Sequence, residues 1–109
     1  MVLLRALHEG QSLSDVSQAL LLQLMTETPT GTQRIKGRLP NDAVVAHKTG
    51  TSRTVDGITA ATNNVGLVTL PNGQNFAIAV FVSDSTADTT TREGVIAQVA
   101  RAAWDEWNQ

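Results

Sequence analysis

The chain has 109 residues, which is one domain at most, with 41% hydrophobic residues, 17% charged residues and a net charge of −2. This composition excludes a disordered segment, and without a basic patch it gives no footprint for nucleic acid or an anionic membrane. There is no cysteine, hence no disulfide and no thiolate metal site, and no apolar run nears the roughly 20 residues that cross a bilayer.

Met1 to Leu7 is apolar but soon meets His8-Glu9-Gly10, too short for an export signal. Leu3, Leu4 and Leu7 at helical spacing predict a short first helix over residues 1–9, ended by Gly10. Ser12 or Ser14 then caps a second helix with Asp15 in its first turn, and Val16, Ala19, Leu20 and Leu24 form its apolar face. Thr28-Pro29-Thr30-Gly31 ends that helix, and Thr32 to Leu39 reads as one further helical turn before Pro40-Asn41-Asp42.

Three strand-like runs follow. Ala43 to Thr49 is the first. Gly57 to Leu70 is the second, with a bend or interruption expected near Asn63-Asn64, and Phe76 to Val82 is the third. Pro71-Asn72-Gly73-Gln74 joins the last two as a hairpin turn. The third run is almost entirely apolar, which predicts cover on both faces. Thr90 with Glu93 matches a capping box, and Val95, Ile96, Val99, Ala100, Ala103, Trp104 and Trp107 form the stripe of a terminal helix. The expected fold is α+β over residues 1–109: N-terminal helices, a three-stranded antiparallel sheet and a C-terminal amphipathic helix packed on it.

Lys48-Thr49-Gly50 lies at the end of the first strand and continues into Thr51-Ser52. Taken alone, the triplet is a strand end turning into a loop. Its setting is more specific: His-Lys-Thr-Gly-Thr, a short excursion, a long glycine-containing strand, a Pro-Asn-Gly turn, an apolar strand and an amphipathic helix. This order, over essentially the whole chain, resembles the C-terminal third of class A serine β-lactamases and their penicillin-binding relatives, whose motifs are S-x-x-K, S-D-N and K-T-G. Val45 to Ser52 and Thr59 to Asn63 look most like the extended-spectrum branch.

The resemblance implies a β-lactam as substrate, with no metal and no cofactor. Lys48 would attract the substrate carboxylate, Thr49 and Thr51 would donate hydroxyls to it, and Gly50 would let ligand and backbone come close. The Thr51 amide would be one of two oxyanion-hole donors, and its carbonyl would accept from the substrate's side-chain amide. Arg34, in the short helix before the triplet strand, would supply a guanidinium to the carboxylate. His47 is expected to point away from Lys48 by strand alternation and to have no catalytic role. His8 is isolated. Asp56, Asp84 and Asp88 lack metal-ligand spacing, and Trp104 and Trp107 read as core.

The nucleophile is missing. Ser12, Ser14, Ser17, Ser52, Ser83 and Ser85 are followed three residues later by Asp, Ser, Leu, Val, Thr and Asp, never by lysine. Ser-Asp-Asn and the deacylating glutamate are also missing, so the expectation is a lactamase segment inactive alone, leaving apolar surface uncovered. The parent of such a segment would be periplasmic or secreted, and the missing N-terminal part of the domain would be its partner. The alternatives are a segment of a D,D-peptidase or penicillin-binding protein, and a stand-alone interaction domain with an accidental triplet.

Overall fold

The computed structural model describes residues 1–109. Helix α1 spans Val2–Glu9 and ends at Gly10, whose φ of 73° is the left-handed conformation that a glycine adopts without penalty. Helix α2 spans Asp15–Glu27, and the side chain of Ser14 accepts from the Ser17 N–H to cap it. A short 3₁₀ turn covers Ile35–Arg38.

Strand β1, Val44–Thr51, runs on through the triplet, two residues past the expected end at Thr49. It pairs antiparallel with β3, Ile58–Thr69, from Val44 opposite Thr69 to Thr51 opposite Thr62. A two-residue strand, β2 (Thr54–Val55), makes the sheet four-stranded rather than three-stranded. It turns into β3 through Asp56 and Gly57, both at positive φ, a two-residue hairpin loop. Asp-Gly between β-branched residues is a hairpin signature that the reading by strand-like runs passed over. Strand β4, Asn75–Ser85, pairs along the other side of β3. β3 is therefore central, and the outer edge of β1 has no strand beside it.

β3 is continuous through Asn63-Asn64, without the expected interruption. Asn64 is fully buried and has bonding partners for its carboxamide inside the fold, so it does not have to break the ladder to reach water.

Alternation splits the sheet into two faces. Val45 and His47 of β1, Asn64 and Val68 of β3, and Phe76, Ile78, Val80 and Val82 of β4 share one face. Helix α3, Thr89–Trp107, supplies Ile96, Ala100 and Trp104 to the main core on this side, together with Ile35 and Leu39 from the 3₁₀ turn and its end. On the other face Ala46 and Leu67 meet Leu4 of α1 in a small second core, flanked by Leu22 and Met25 of α2.

Four expectations are corrected here. The apolar stripe of α2 is not Val16, Leu20 and Leu24, which are exposed, but Leu22 and Met25, which meet β1 and β3. The helix is apolar on two sides, and the sheet covers one. The stripe of α3 is narrower than predicted: Ile96, Ala97, Ala100 and Trp104 are buried, while Val95, Val99 and Trp107 face outward. β4 is not covered on both faces, for Phe81 is 67% exposed. The capping box is replaced by Asp88, whose carboxylate accepts from the Thr91 N–H at 2.8 Å; the Thr91 side chain and then this N–H hold its pKa below the ordinary aspartate value.

Ile96→Ala should cost about 2–5 kcal/mol, because the side chain is wholly enclosed by the main core. Leu24→Gln should change stability by less than about 0.5 kcal/mol while reducing self-association. Denaturant unfolding and light scattering of both variants measure this contrast.

Candidate functional site

The site is an edge rather than a cavity. Ser52 N–H donates to Ala61 O at 2.9 Å, so in this antiparallel register alternate residues of β1, Gly50 and Lys48 among them, bond to β3. The intervening residues, Thr51 and Thr49, turn their N–H and C=O outward, where no strand pairs with them. Lys48 is exposed on the face opposite the main core, and its Nζ donates to the Thr49 carbonyl at 2.8 Å. An ammonium, a threonine hydroxyl and outward-facing amides therefore line one stretch of backbone.

A Cβ added at Gly50 would sit 2.6 Å from Asn63 Oδ1. The need for glycine there is thus an internal contact with β3, in addition to any close approach by a ligand.

Arg34 lies beneath this edge, only 5% exposed. Its Nε donates to Glu93 Oε2 at 3.0 Å, one terminal nitrogen to Gly50 O at 3.2 Å and Asn63 O at 2.8 Å, and the other to Thr51 Oγ1 at 2.7 Å. Four of the five N–H donors of a guanidinium are committed, and the fifth is on the nitrogen beside Thr51. Because Thr51 Oγ1 accepts from Arg34, its own proton is left to donate elsewhere. The structure thus brings Arg34, Gly50 and Thr51 into direct contact, with Thr49 and Lys48 next along the strand.

Sequence reasoning missed Glu93, Arg92 and Asn64. Glu93 looked like half of a capping box, and nothing local marks its pairing with a residue 59 positions away. Arg92 is buried and donates to Ala87 O, Thr89 Oγ1 and Thr62 Oγ1, pinning the start of α3 to β3. Asn64 is described with His47 below.

His47 is wholly buried and faces away from Lys48, as alternation predicts. Burial, then the charge of Lys36, hold its pKa below the ordinary imidazole value, with a smaller contribution from Lys48. It is not placed to act on a ligand. Ser52 Oγ is engaged with the backbone of Arg53 and Ala61. No group of histidine and acidic side chains has metal-binding geometry: Asp56 lies in the turn between β2 and β3, Asp84 near the end of β4 and Asp88 at the N-cap of α3. The arrangement can bind an anion and donate backbone hydrogen bonds, but it holds no activated nucleophile.

The chain is similar to known proteins over nearly its whole length. The profile of the β-lactamase enzyme family matches residues 1–107. The extended-spectrum β-lactamase PER-1 of Pseudomonas aeruginosa is 50% identical over 102 residues, covering 94% of this chain and 33% of that protein. β-Lactamase VEB-1, also of Pseudomonas aeruginosa, is 46% identical, covering 90% of this chain and 33% of that protein. Among solved structures, a β-lactamase from Chitinophaga pinensis superposes with a TM-score of 0.95 at 56% identity, over 97% of this chain and 39% of that one. The extended-spectrum β-lactamase TLA-1 superposes at 0.96 with 50% identity, over 98% and 39%. The chain therefore spans about a third of the length of the curated relatives it matches.

Two outcomes are expected. Arg34→Met should destabilise the fold by roughly 3 kcal/mol, because it leaves Glu93 half-buried without its cation, and denaturant unfolding measures this. Since His47 binds a proton more readily in the unfolded chain, stability should be level above neutral pH and fall as pH drops below about 6.5. Thermal melts between pH 8 and 5 should show that decline, and His47→Gln should flatten it.

Proposed function

This chain belongs to the β-lactamase enzyme family, in the extended-spectrum branch of class A, and from that premise we propose that β1 is the substrate-binding edge of a serine β-lactamase. The observation that carries this reading is the outward-facing backbone of Thr49 and Thr51 on an unpaired edge beside the Lys48 ammonium.

A β-lactam presents a carboxylate next to a strained amide. Lys48 attracts the carboxylate and the Thr49 hydroxyl donates to it. Arg34 adds a second positive charge from beneath and passes a hydrogen bond on through the Thr51 hydroxyl, with one guanidinium N–H left over for the ligand. The Thr51 N–H donates to the carbonyl oxygen as negative charge develops there, and the Thr51 C=O accepts from the amide of the substrate's side chain, as an added strand would.

The reaction forms a bond from a serine oxygen to the lactam carbonyl carbon and breaks the ring C–N bond. Water then cleaves the resulting ester. The serine, its Ser-x-x-Lys lysine, the Ser-Asp-Asn motif and the deacylating glutamate lie outside these 109 residues, so the segment is inactive alone. The whole protein confers resistance to β-lactams and acts in the periplasm or outside the cell.

The segment alone should not turn over a chromogenic cephalosporin. Co-expression with an N-terminal class A segment that carries Ser-x-x-Lys should restore hydrolysis. In that pair Lys48→Ala should lower kcat/KM by about 10- to 100-fold, since a hydrogen bond to a charged group contributes roughly 1.5–3 kcal/mol. Enzyme-like turnover by the segment alone, or a restored activity indifferent to Lys48→Ala, would refute this reading.

A further inference from the structure

We propose that Asn64 and His47 are positioning residues for this edge: the Asn64 carboxamide holds the Lys48–Thr49 peptide in place, and protonation of His47 releases it. The inference rests on the reading of β1 as a substrate-binding edge and names what keeps that edge in shape.

Asn64 lies on the main-core face of β3, opposite Thr49, with no exposure to solvent. Its Oδ1 accepts from the Ile35 N–H at 3.1 Å. An amide N–H can only donate, so this contact fixes which end of the carboxamide is oxygen. The Nδ2 group then donates both of its hydrogens, one to Lys48 O at 3.0 Å and one to His47 Nδ1 at 3.1 Å. One side chain thereby ties the 3₁₀ turn to the peptide that joins the ammonium-bearing residue to the hydroxyl-bearing one.

His47 Nδ1 must be the acceptor in that pair, which puts the ring proton on Nε2. Nε2 is buried and has no partner of its own. Gly66, opposite His47 in the register, lets β1 approach closely there: a Cβ would sit 2.8 Å from Ala46 O and 3.0 Å from His47 Cβ.

A proton added at Nδ1 would face the Nδ2 hydrogens directly. Rotating the carboxamide to meet it would set Oδ1 against Lys48 O and Nδ2 against the Ile35 N–H. A single protonation therefore breaks two further hydrogen bonds, on β1 and on the 3₁₀ turn. The charged groups that act on the ring oppose that proton: Lys36 from the 3₁₀ turn and Lys48 from β1 are both cationic. β3 and β4 present Asn64, Gly66 and Ile78, none of them titratable in this range. Of the charged groups at the start of α3, Arg92 is bonded to Thr62 and Glu93 to Arg34.

The test is an NMR titration of the full chain from pH 8 to 5. The ¹⁵N shifts of the His47 ring should show the Nε2–H tautomer and a midpoint below the ordinary imidazole value. The Ile35, Thr49 and Thr51 amides should move with the His47 midpoint. Asn64→Asp keeps the volume and an acceptor for Ile35 but places a carboxylate on Nδ1. It should raise the His47 midpoint by at least about one pH unit, which loss of packing alone would not do. An Nδ1–H tautomer in the wild type, or Thr49 and Thr51 amides that ignore the His47 midpoint, would overturn the inference even if no variant folds.

Benzylpenicillin titrated at pH 7.5 and pH 5.5 separates this inference from the functional reading. Binding that weakens at least about threefold at the lower pH in the wild type, but not in His47→Gln, supports both. Equal weakening in the two proteins overturns the role of His47. Coupled amide shifts with no benzylpenicillin binding at either pH leave the lock standing and sink the substrate reading instead.

Discussion

A guanidinium placed under a sheet must find partners for nearly all of its hydrogens, since each unsatisfied donor there carries a desolvation cost. Arg34 meets this demand by drawing on every part of the fold that surrounds it: a carboxylate from α3, a carbonyl from β1, a carbonyl from β3 and the hydroxyl at the end of β1. The positions of those four groups are therefore not independent. The helix cannot shift along the sheet, nor the end of β1 peel from β3, without stranding a charge. The edge that we assign to substrate is held from below by the same cation that gives it part of its positive field.

The polar residues under β1 form a continuous layer rather than isolated contacts. Arg34, Asn64 and Arg92 reach β1, β3 and the start of α3 at successive positions, and the 3₁₀ turn of Ile35–Arg38 is bound into the same layer through the Ile35 amide. Apolar packing by Ile35, Ile96, Ala100 and Trp104 brings these elements together, but it is non-directional and would tolerate small shifts. Directional bonds set the last ångström of the strand's placement, which anion recognition by a short stretch of backbone requires.

The opposite face has a different character. Only a small cluster around Leu4, Ala46 and Leu67 is closed there, and Val16, Leu20, Leu24 and Phe81 remain in contact with solvent. Solved relatives extend over more than twice this length, and the superposition at TM-scores of 0.95 and 0.96 means that the backbone of this third already has the family's geometry. The geometry of the edge is thus internal to these residues, while the chemistry that would exploit it is not.

Local chemistry was enough to read the order of the helices and the three long strands, Gly10 as a helix cap, Ser12 or Ser14 as the next one, the Pro-Asn-Gly turn and the place of Lys48-Thr49-Gly50-Thr51 at the end of β1. Each of these depends on residues close together in the chain: a glycine at positive φ, a hydroxyl three residues from an amide, alternation along one strand. Alternation alone also sent His47 to the side away from Lys48. Tertiary structure decided what no local pattern encodes: which of two apolar stripes on α2 would be buried, that Glu93 would pair with Arg34 rather than cap its own helix, and that Asn64 would continue β3 instead of breaking it. In each case one side chain had two satisfactory local uses. The choice between them was made by a partner that becomes adjacent only when the sheet has formed.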